Sequence, residues 1–169
     1  VMARISPSPP RLEVIEPFAI TTNSGGEGEI RAQLVENDLV SCMVALPEKL
    51  FRSTGIPVCL WFFAKDKSAG AGGTIDRRGE VLFIDARQLG HMVTRAERAF
   101  SDEDISKIAD TYHAWRGMDG APTSTRAPQL ERSASGTART GYEDVRGFCQ
   151  SVPLSVVKEA DYALTPGRY

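Results

Sequence analysis

The chain has 169 residues, of which 41% are hydrophobic and 25% charged, so it is long enough for one globular domain but not for two large ones. Its formal net charge of −2 argues against a strongly basic nucleic-acid-binding protein, so any DNA-binding surface has to be local. No stretch reaches the roughly 18 apolar residues of a membrane span, and Cys42, Cys59 and Cys149 form no disulfide or zinc pattern, which predicts a cytoplasmic chain with reduced thiols and no membrane partner.

The first predicted elements are an irregular arm and a helix. Four prolines within residues 1–17 predict an irregular N-terminal arm. Ser24 lies three residues before Glu27, a capping-box spacing, and Ile30, Leu34 and Val35 then recur at helical intervals. Gly26 and Gly28 of the segment Gly-Glu-Gly could begin a cofactor loop, but a turn and a helix start already explain both glycines and are the favoured interpretation.

Three short apolar runs, at residues 40–46, 58–64 and 80–85, predict buried strands. Residues 48–56 form a loop that exposes side chains at strand ends, where α/β proteins usually place function. The glycine-rich residues 65–79 predict a flexible surface connection. Because a loop rather than a helix joins the second and third strands, these two are expected to pair antiparallel.

A second helix is predicted after Ser101, its N-cap, with an apolar stripe of Ile105, Ile108, Ala109, Tyr112 and Trp115. Residues 117–141 are small and polar, as in a linker, and a short helix follows at residues 154–160. The predicted organisation is therefore an arm at 1–17, a partial α/β domain at 18–90, and a helical extension at 91–169 with a flexible linker at about 117–141.

Residues that could carry chemistry are few. His91 and His113 have no partner at metal-ligand spacing, and no nucleophile motif such as G-x-S-x-G occurs, so the sequence predicts no metal site. Arginine side chains could contact phosphates, although pairing with surface carboxylates is the simpler explanation for any one of them. The candidates are Arg52, Arg77, Arg78, Arg95, Arg98, Arg139 and Arg146.

Several segments, in order along residues 23–169, resemble the modification subunits of type I restriction-modification systems. They are NSGGEGEIR (23–31), VALP (44–47), LFRSTGIPVCLWF (50–62), GEVLFIDAR (79–87), IADTYHAWR (108–116) and LTPGRY (164–169). The resemblance implies an α/β fold: the C-terminal portion of a class I, Rossmann-like methyltransferase sheet with a helical C-terminal extension. In that fold the three predicted strands are the last of the sheet, and the final two form an antiparallel hairpin.

The family methylates the N6 amino group of adenine in DNA with S-adenosylmethionine, in complex with a specificity subunit and a restriction subunit. Its glycine-rich donor loop and its Asn-Pro-Pro-aromatic motif do not occur in this sequence. The resemblance therefore implies a fragment that is inactive alone, binds no cofactor by itself and self-associates through an exposed sheet edge. A non-catalytic module that docks onto DNA or a partner protein is the alternative.

The resemblance also implies a binding site for the flipped target base at residues 50–56. Phe51 is the candidate for stacking on the adenine, with Thr54 as a second contact, although Phe51 could equally be a core residue at a strand end. Arg52, Arg77 and Arg78 are the candidates for contacts with DNA phosphates.

Overall fold

The computed structural model describes residues 26–51, 55–118 and 141–169, together with the backbone of residues 11–15. Its elements in chain order are β1 (Arg11–Ile15), α1 (Glu27–Glu36), β2 (Val40–Ala45), β3 (Cys59–Phe63), β4 (Glu80–Asp85), β5 (His91–Met92), β6 (Arg98–Ala99), α2 (Asp102–Arg116), β7 (Cys149–Pro153), α3 (Leu154–Glu159) and a final 3-10 turn (Pro166–Arg168).

A five-stranded mixed sheet in the order β1-β3-β2-β4-β7 organises the fold. The three predicted strands are confirmed as β2, β3 and β4. β2 pairs parallel with β4, and every other neighbouring pair is antiparallel. All six residues of β2 are buried, as a central strand between two covered faces requires.

The predicted pairing of the second and third strands is wrong. β3 pairs with β1 and β2, whereas β4 lies on the far side of β2, so the antiparallel pair is β2–β3. The expected irregular arm also contains a strand, β1, which prolines on both sides made hard to predict. The C-terminal part is not purely helical either, because β7 joins the sheet beside β4.

Helices cover both faces of the sheet. On one face Val35 of α1, Val157 of α3 and Leu164 pack against Trp61 and Phe83. On the other face the α2 side chains Ile108, Tyr112 and Trp115 pack against the alternate residues of the same strands, including Leu82 and Phe62. The fold is therefore a layered α/β arrangement with two cores.

The predicted helices are confirmed, with corrections to their details. Ser101 caps α2 through a reciprocal capping box with Asp104. The N-cap of α1 is Gly26 in a left-handed conformation rather than Ser24, which lies outside the described residues. Ile30 and Ile105 were expected in apolar stripes but are 60% and 54% exposed. The buried residues of α1 are Arg31 and Val35, and those of α2 are Trp115 and Arg116 at its end.

The connection at residues 65–79 is not the simple surface linker that its glycines suggested. Lys67 is buried, and its ammonium donates to the carbonyls of Val40 and Glu80 at 3.0 and 2.6 Å and pairs with Asp38 at 2.5 Å. Arg116, also buried, donates to the carbonyls of Lys67 and Ala71. These two cations fix the segment that carries the chain across β2.

Candidate functional site

One edge of the sheet gathers the loops that could contact a ligand. Because β2 and β4 are parallel, their carboxyl ends meet there, and residues 46–51 and 86–99 follow directly. β7 runs antiparallel to β4, so the turn at residues 142–148 reaches the same edge. We call this the carboxyl edge; it is where sheets of this kind usually bind ligands.

Phe51 lies in the first of these loops and is 44% exposed, which argues against a core role. The backbone near it is fixed: Lys49 has a φ of 64°, and its carbonyl accepts the Arg98 backbone N–H at 2.9 Å. The Lys49 ammonium lies 3.4 Å from the Arg95 carbonyl. An exposed aromatic ring is thus presented from a loop that is joined to the β5–β6 hairpin.

An ion pair closes the end of β4. The Arg87 guanidinium donates to Asp85 at 2.8 Å through Nε and at 2.5 Å through Nη2. The Arg87 hydrogen bond is the main cause that lowers the pKa of Asp85. Gly167 packs directly on this guanidinium, where a Cβ would collide with it. The pair therefore anchors the C-terminal turn.

The C-terminal residue completes one wall of a cleft of 520 Å³ at this edge. Tyr169 stacks on Phe83 with ring centroids 4.4 Å apart, and its hydroxyl donates to the Ala163 carbonyl at 2.6 Å. These two contacts fix Tyr169 in the wall of the cleft.

Arg77 and Arg78 lie at the opposite edge, just before β4 begins. Arg77 is largely buried: it donates to the Trp115 carbonyl at 2.7 Å and to Glu80 at 3.0 Å, and it lies over the Trp115 ring. Arg78 pairs with Asp76 through Nε and Nη2. The structure therefore does not bring these arginines together with Phe51, and it engages Arg77 in packing.

Arg52 and Thr54 fall in residues 52–54, which the structure does not describe, so their roles stay predictions. Two other arginines of the candidate set, Arg95 and Arg146, lie at the carboxyl edge and are exposed. Among the described residues neither guanidinium has an acceptor or a carboxylate partner. Knowing that β2 and β4 are parallel would have pointed to these two among the candidate arginines, but the sequence alone did not predict that pairing.

The described residues offer a binding surface rather than a reactive centre. All three cysteines are buried free thiols, and burial raises the pKa of Cys59 to about 11, so it is a poor nucleophile at neutral pH. Within the described ranges no group of three or more His, Cys, Asp or Glu side chains could hold a metal ion. Nor is any described helix long and apolar enough to cross a membrane.

The Gly-Glu-Gly segment does not fit a methyl-donor loop. Gly26 is the left-handed N-cap of α1, and Gly28 already lies within the helix. Arg31, which stands where a G-x-G-x-x-G loop has its third glycine, is buried. These residues form a helix start, not an open glycine cradle.

Comparisons with known proteins agree with this geometry. The family model for N-6 DNA Methylase matches residues 8–169. The chain is 44% identical over 151 residues to the type I restriction enzyme HindI methylase subunit of Haemophilus influenzae, covering 89% of this chain and 28% of that protein. It is 33% identical to the MjaIX methylase subunit of Methanocaldococcus jannaschii, covering 85% of this chain and 21% of that protein.

A solved structure shares the fold. The type I restriction-modification system methyltransferase subunit from Streptococcus thermophilus aligns with a TM-score of 0.66 and 22% identity, covering 94% of this chain and 25% of that one. The chain thus spans about a quarter of the length of the relatives it matches.

Proposed function

The chain belongs to the N-6 DNA methylase family and its relatives are type I methylase subunits, and from this premise we propose that it forms the wall of the target-adenine pocket in such a subunit. The reaction proposed for the complete protein is methyl transfer from S-adenosylmethionine to the N6 amino group of adenine. The proposed partners are duplex DNA, a specificity subunit and a restriction subunit, all in the cytoplasm.

The finer fold proposed is the end of a class I, Rossmann-like methyltransferase sheet. Two observations support this proposal. The antiparallel strand β3 lies between β1 and β2, which are parallel to one another, and helices cover both faces of the sheet. The proposed boundary between the methyltransferase portion and the C-terminal extension stays at about residue 90, although β7 shows that the extension contributes to the same sheet.

The observation that carries the functional proposal is the exposure of Phe51 at the carboxyl edge. A ring that is 44% exposed on a fixed loop can stack on a base that has left the DNA helix, at little cost in ordering the protein. The Lys49 contacts with Arg95 and Arg98 hold that loop in place. Thr54, three residues on, remains the second proposed contact with the base.

The methyl donor is proposed to bind residues outside this chain, because the described residues around α1 do not fit it. In the complete protein the donor supplies the methyl group, whereas this chain positions and shields the base. We expect isothermal calorimetry to detect no binding of S-adenosylmethionine by this chain alone. Micromolar binding with ordinary stoichiometry would contradict that assignment.

Fluorescence tests the base contact. A duplex with one unpaired 2-aminopurine mimics an extrahelical adenine, and stacking on Phe51 should quench its emission. Phe51→Ala is expected to lose most of the quenching and Phe51→Trp to retain it. Ile105→Ala, which truncates an equally exposed side chain on α2, is the matched control. Equal quenching by the unmodified chain and Phe51→Ala would refute the contact.

A further inference from the structure

We propose that the β5–β6 hairpin, residues 91–99, is a second DNA-contacting element that lies against the duplex beside the flipped base. This inference rests on the proposed function, since it takes the loop of Phe51 to face DNA. It adds a surface of which the sequence indicated only Arg95 and Arg98, as two of seven candidate phosphate contacts.

The hairpin projects from the sheet without contributing to either core. Residues 91–96 are all exposed, and Met92 and Val93 are 44% and 56% exposed. Its shape is maintained by polar contacts instead: the Val93 N–H donates to the Glu97 carbonyl, and the Arg98 guanidinium donates to the carbonyls of Leu89 and Gly90. The apolar side chains at the tip are therefore not needed for folding and are available to a partner.

The charge at the tip favours DNA over a protein surface. Five other arginines, Arg77, Arg78, Arg87, Arg98 and Arg116, donate to acceptors within the protein. Within the described part of the chain the Arg95 guanidinium donates to none, and the Lys49 ammonium lies 3.4 Å from the Arg95 backbone carbonyl. In a chain of net charge −2, two cations together at the carboxyl edge make a local phosphate-binding surface.

The position of the hairpin also favours this partner. The Arg98 N–H bonds to the Lys49 carbonyl at 2.9 Å, and Phe51 is only two residues further on. Adjacent base pairs are about 3.4 Å apart, so an element this close to a stacked base lies within a few base pairs of it. Arg95 would then pair with a phosphate, while Met92 and Val93 contact the sugars or base edges of a groove.

Fluorescence anisotropy with a fully paired duplex two helical turns long tests this role. The unmodified chain should bind at low salt. Arg95→Ala should weaken binding about three- to tenfold and reduce the slope of log affinity against log salt by about one. Arg95→Lys should restore the slope. The matched control is Lys158→Ala, which removes one positive charge from an exposed site on α3 and should bind as the unmodified chain does.

A second pair of variants tests the apolar tip. Met92→Ser with Val93→Ser should weaken binding without changing the salt slope, whereas Ile105→Ser should have no effect. Urea unfolding of each variant checks that the fold is intact. Absence of DNA binding by the unmodified chain at low salt would overturn the proposal, and so would equal effects of Arg95→Ala and Lys158→Ala.

The hairpin and the base contact can fail separately. The fully paired duplex has no extrahelical base, so Phe51→Ala should leave the affinity for it nearly unchanged. With the 2-aminopurine duplex, the same variant should lose most of the quenching. If Phe51→Ala loses the quenching but the hairpin variants bind the paired duplex like the unmodified chain, only the hairpin proposal is overturned. If the hairpin variants weaken binding but Phe51→Ala keeps the quenching, only the base contact is overturned.

Discussion

At the scale of residues, Lys67 is a buried cation that ties two neighbouring strands of the sheet together. It lies in a glycine-rich stretch, where a lysine ordinarily points into water, yet its ammonium bridges the amino ends of β2 and β4. Burial lowers its pKa, while Asp38 partly opposes that shift. The three cysteines are buried as well, one on each of β2, β3 and β7.

Lys67→Met should destabilise the fold by about 3 kcal/mol, because it leaves Asp38 and two carbonyls without their cation. The side chain of Asp38 is 27% exposed, so water offsets part of the loss. The free energy of unfolding in urea measures the effect, with Lys65→Met, at an exposed position in the same segment, as the control. A change below about 0.5 kcal/mol, typical of surface sites, would show that the buried cation is dispensable.

The Asp85–Arg87 pair predicts a pH dependence. The folded-state pKa of Asp85 is lowered, chiefly by the Arg87 hydrogen bond, so its contribution to stability is present above the unfolded pKa of about 4. That contribution is lost as the pH falls through the lowered folded value. Asp85→Asn should therefore flatten the acid side of the stability curve in urea titrations from neutral to acid pH. Glu159→Gln, at an exposed site on α3, should leave the dependence of stability on pH unchanged. If Asp85→Asn and Glu159→Gln gave the same curve, the Asp85–Arg87 pair would not be the cause of the loss of stability in acid.

At the scale of elements, local sequence signals located a strand or helix correctly where two or more of them fell on the same segment. Apolar runs located β2, β3 and β4 to within a residue or two, and the cap and stripe located α2. Helical periodicity could not predict how much of each apolar stripe on α1 and α2 is buried against the rest of the protein. Arg31 is therefore buried where Ile30 was expected, because the sheet and α3 meet only part of α1.

The capping box of α2 makes the element's stability testable. The Asp104 N–H donates to Ser101 Oγ at 3.2 Å, and the Ser101 N–H donates to Asp104 Oδ2 at 2.9 Å. Ser101→Ala should cost about 1 kcal/mol by removing the first of these bonds. Ser106→Ala, within the same helix, should be neutral or stabilising by about 0.5 kcal/mol. Thermal unfolding of the two variants compares them; a Ser101→Ala variant as stable as Ser106→Ala would mean that the cap contributes nothing.

At the scale of the whole molecule, sheet order was the least predictable property. Whether β4 pairs with β2 or with β3 depends on contacts between distant residues, and no local pattern encodes that choice. Sheet order also decides which candidate arginines lie near Phe51: Arg95 and Arg146 share its edge, whereas Arg77 and Arg78 lie at the opposite one.

The two outer strands differ, and this difference predicts how the molecule associates. Beyond β7, the Ser151 N–H donates to Asp144 and Cys149 bonds to Val145, so that edge is already occupied. Beyond β1, no strand pairs among the described residues, which leaves an open row of donors and acceptors. We expect the chain to self-associate through β1 at high micromolar concentration, as light scattering would show.

Proline scanning locates the edge responsible. Successive residues of a strand direct their N–H groups to opposite edges, so one of Leu12→Pro and Glu13→Pro removes an outer donor and the other removes a bond to β3. The outer substitution should give a folded monomer, and the inner one should lower the unfolding midpoint. Ser151→Pro, which removes an N–H that β7 directs outward to Asp144, is the comparison at the occupied edge and should not reduce association. A stable monomer of the unmodified chain at the same concentration would show that the β1 edge does not drive assembly.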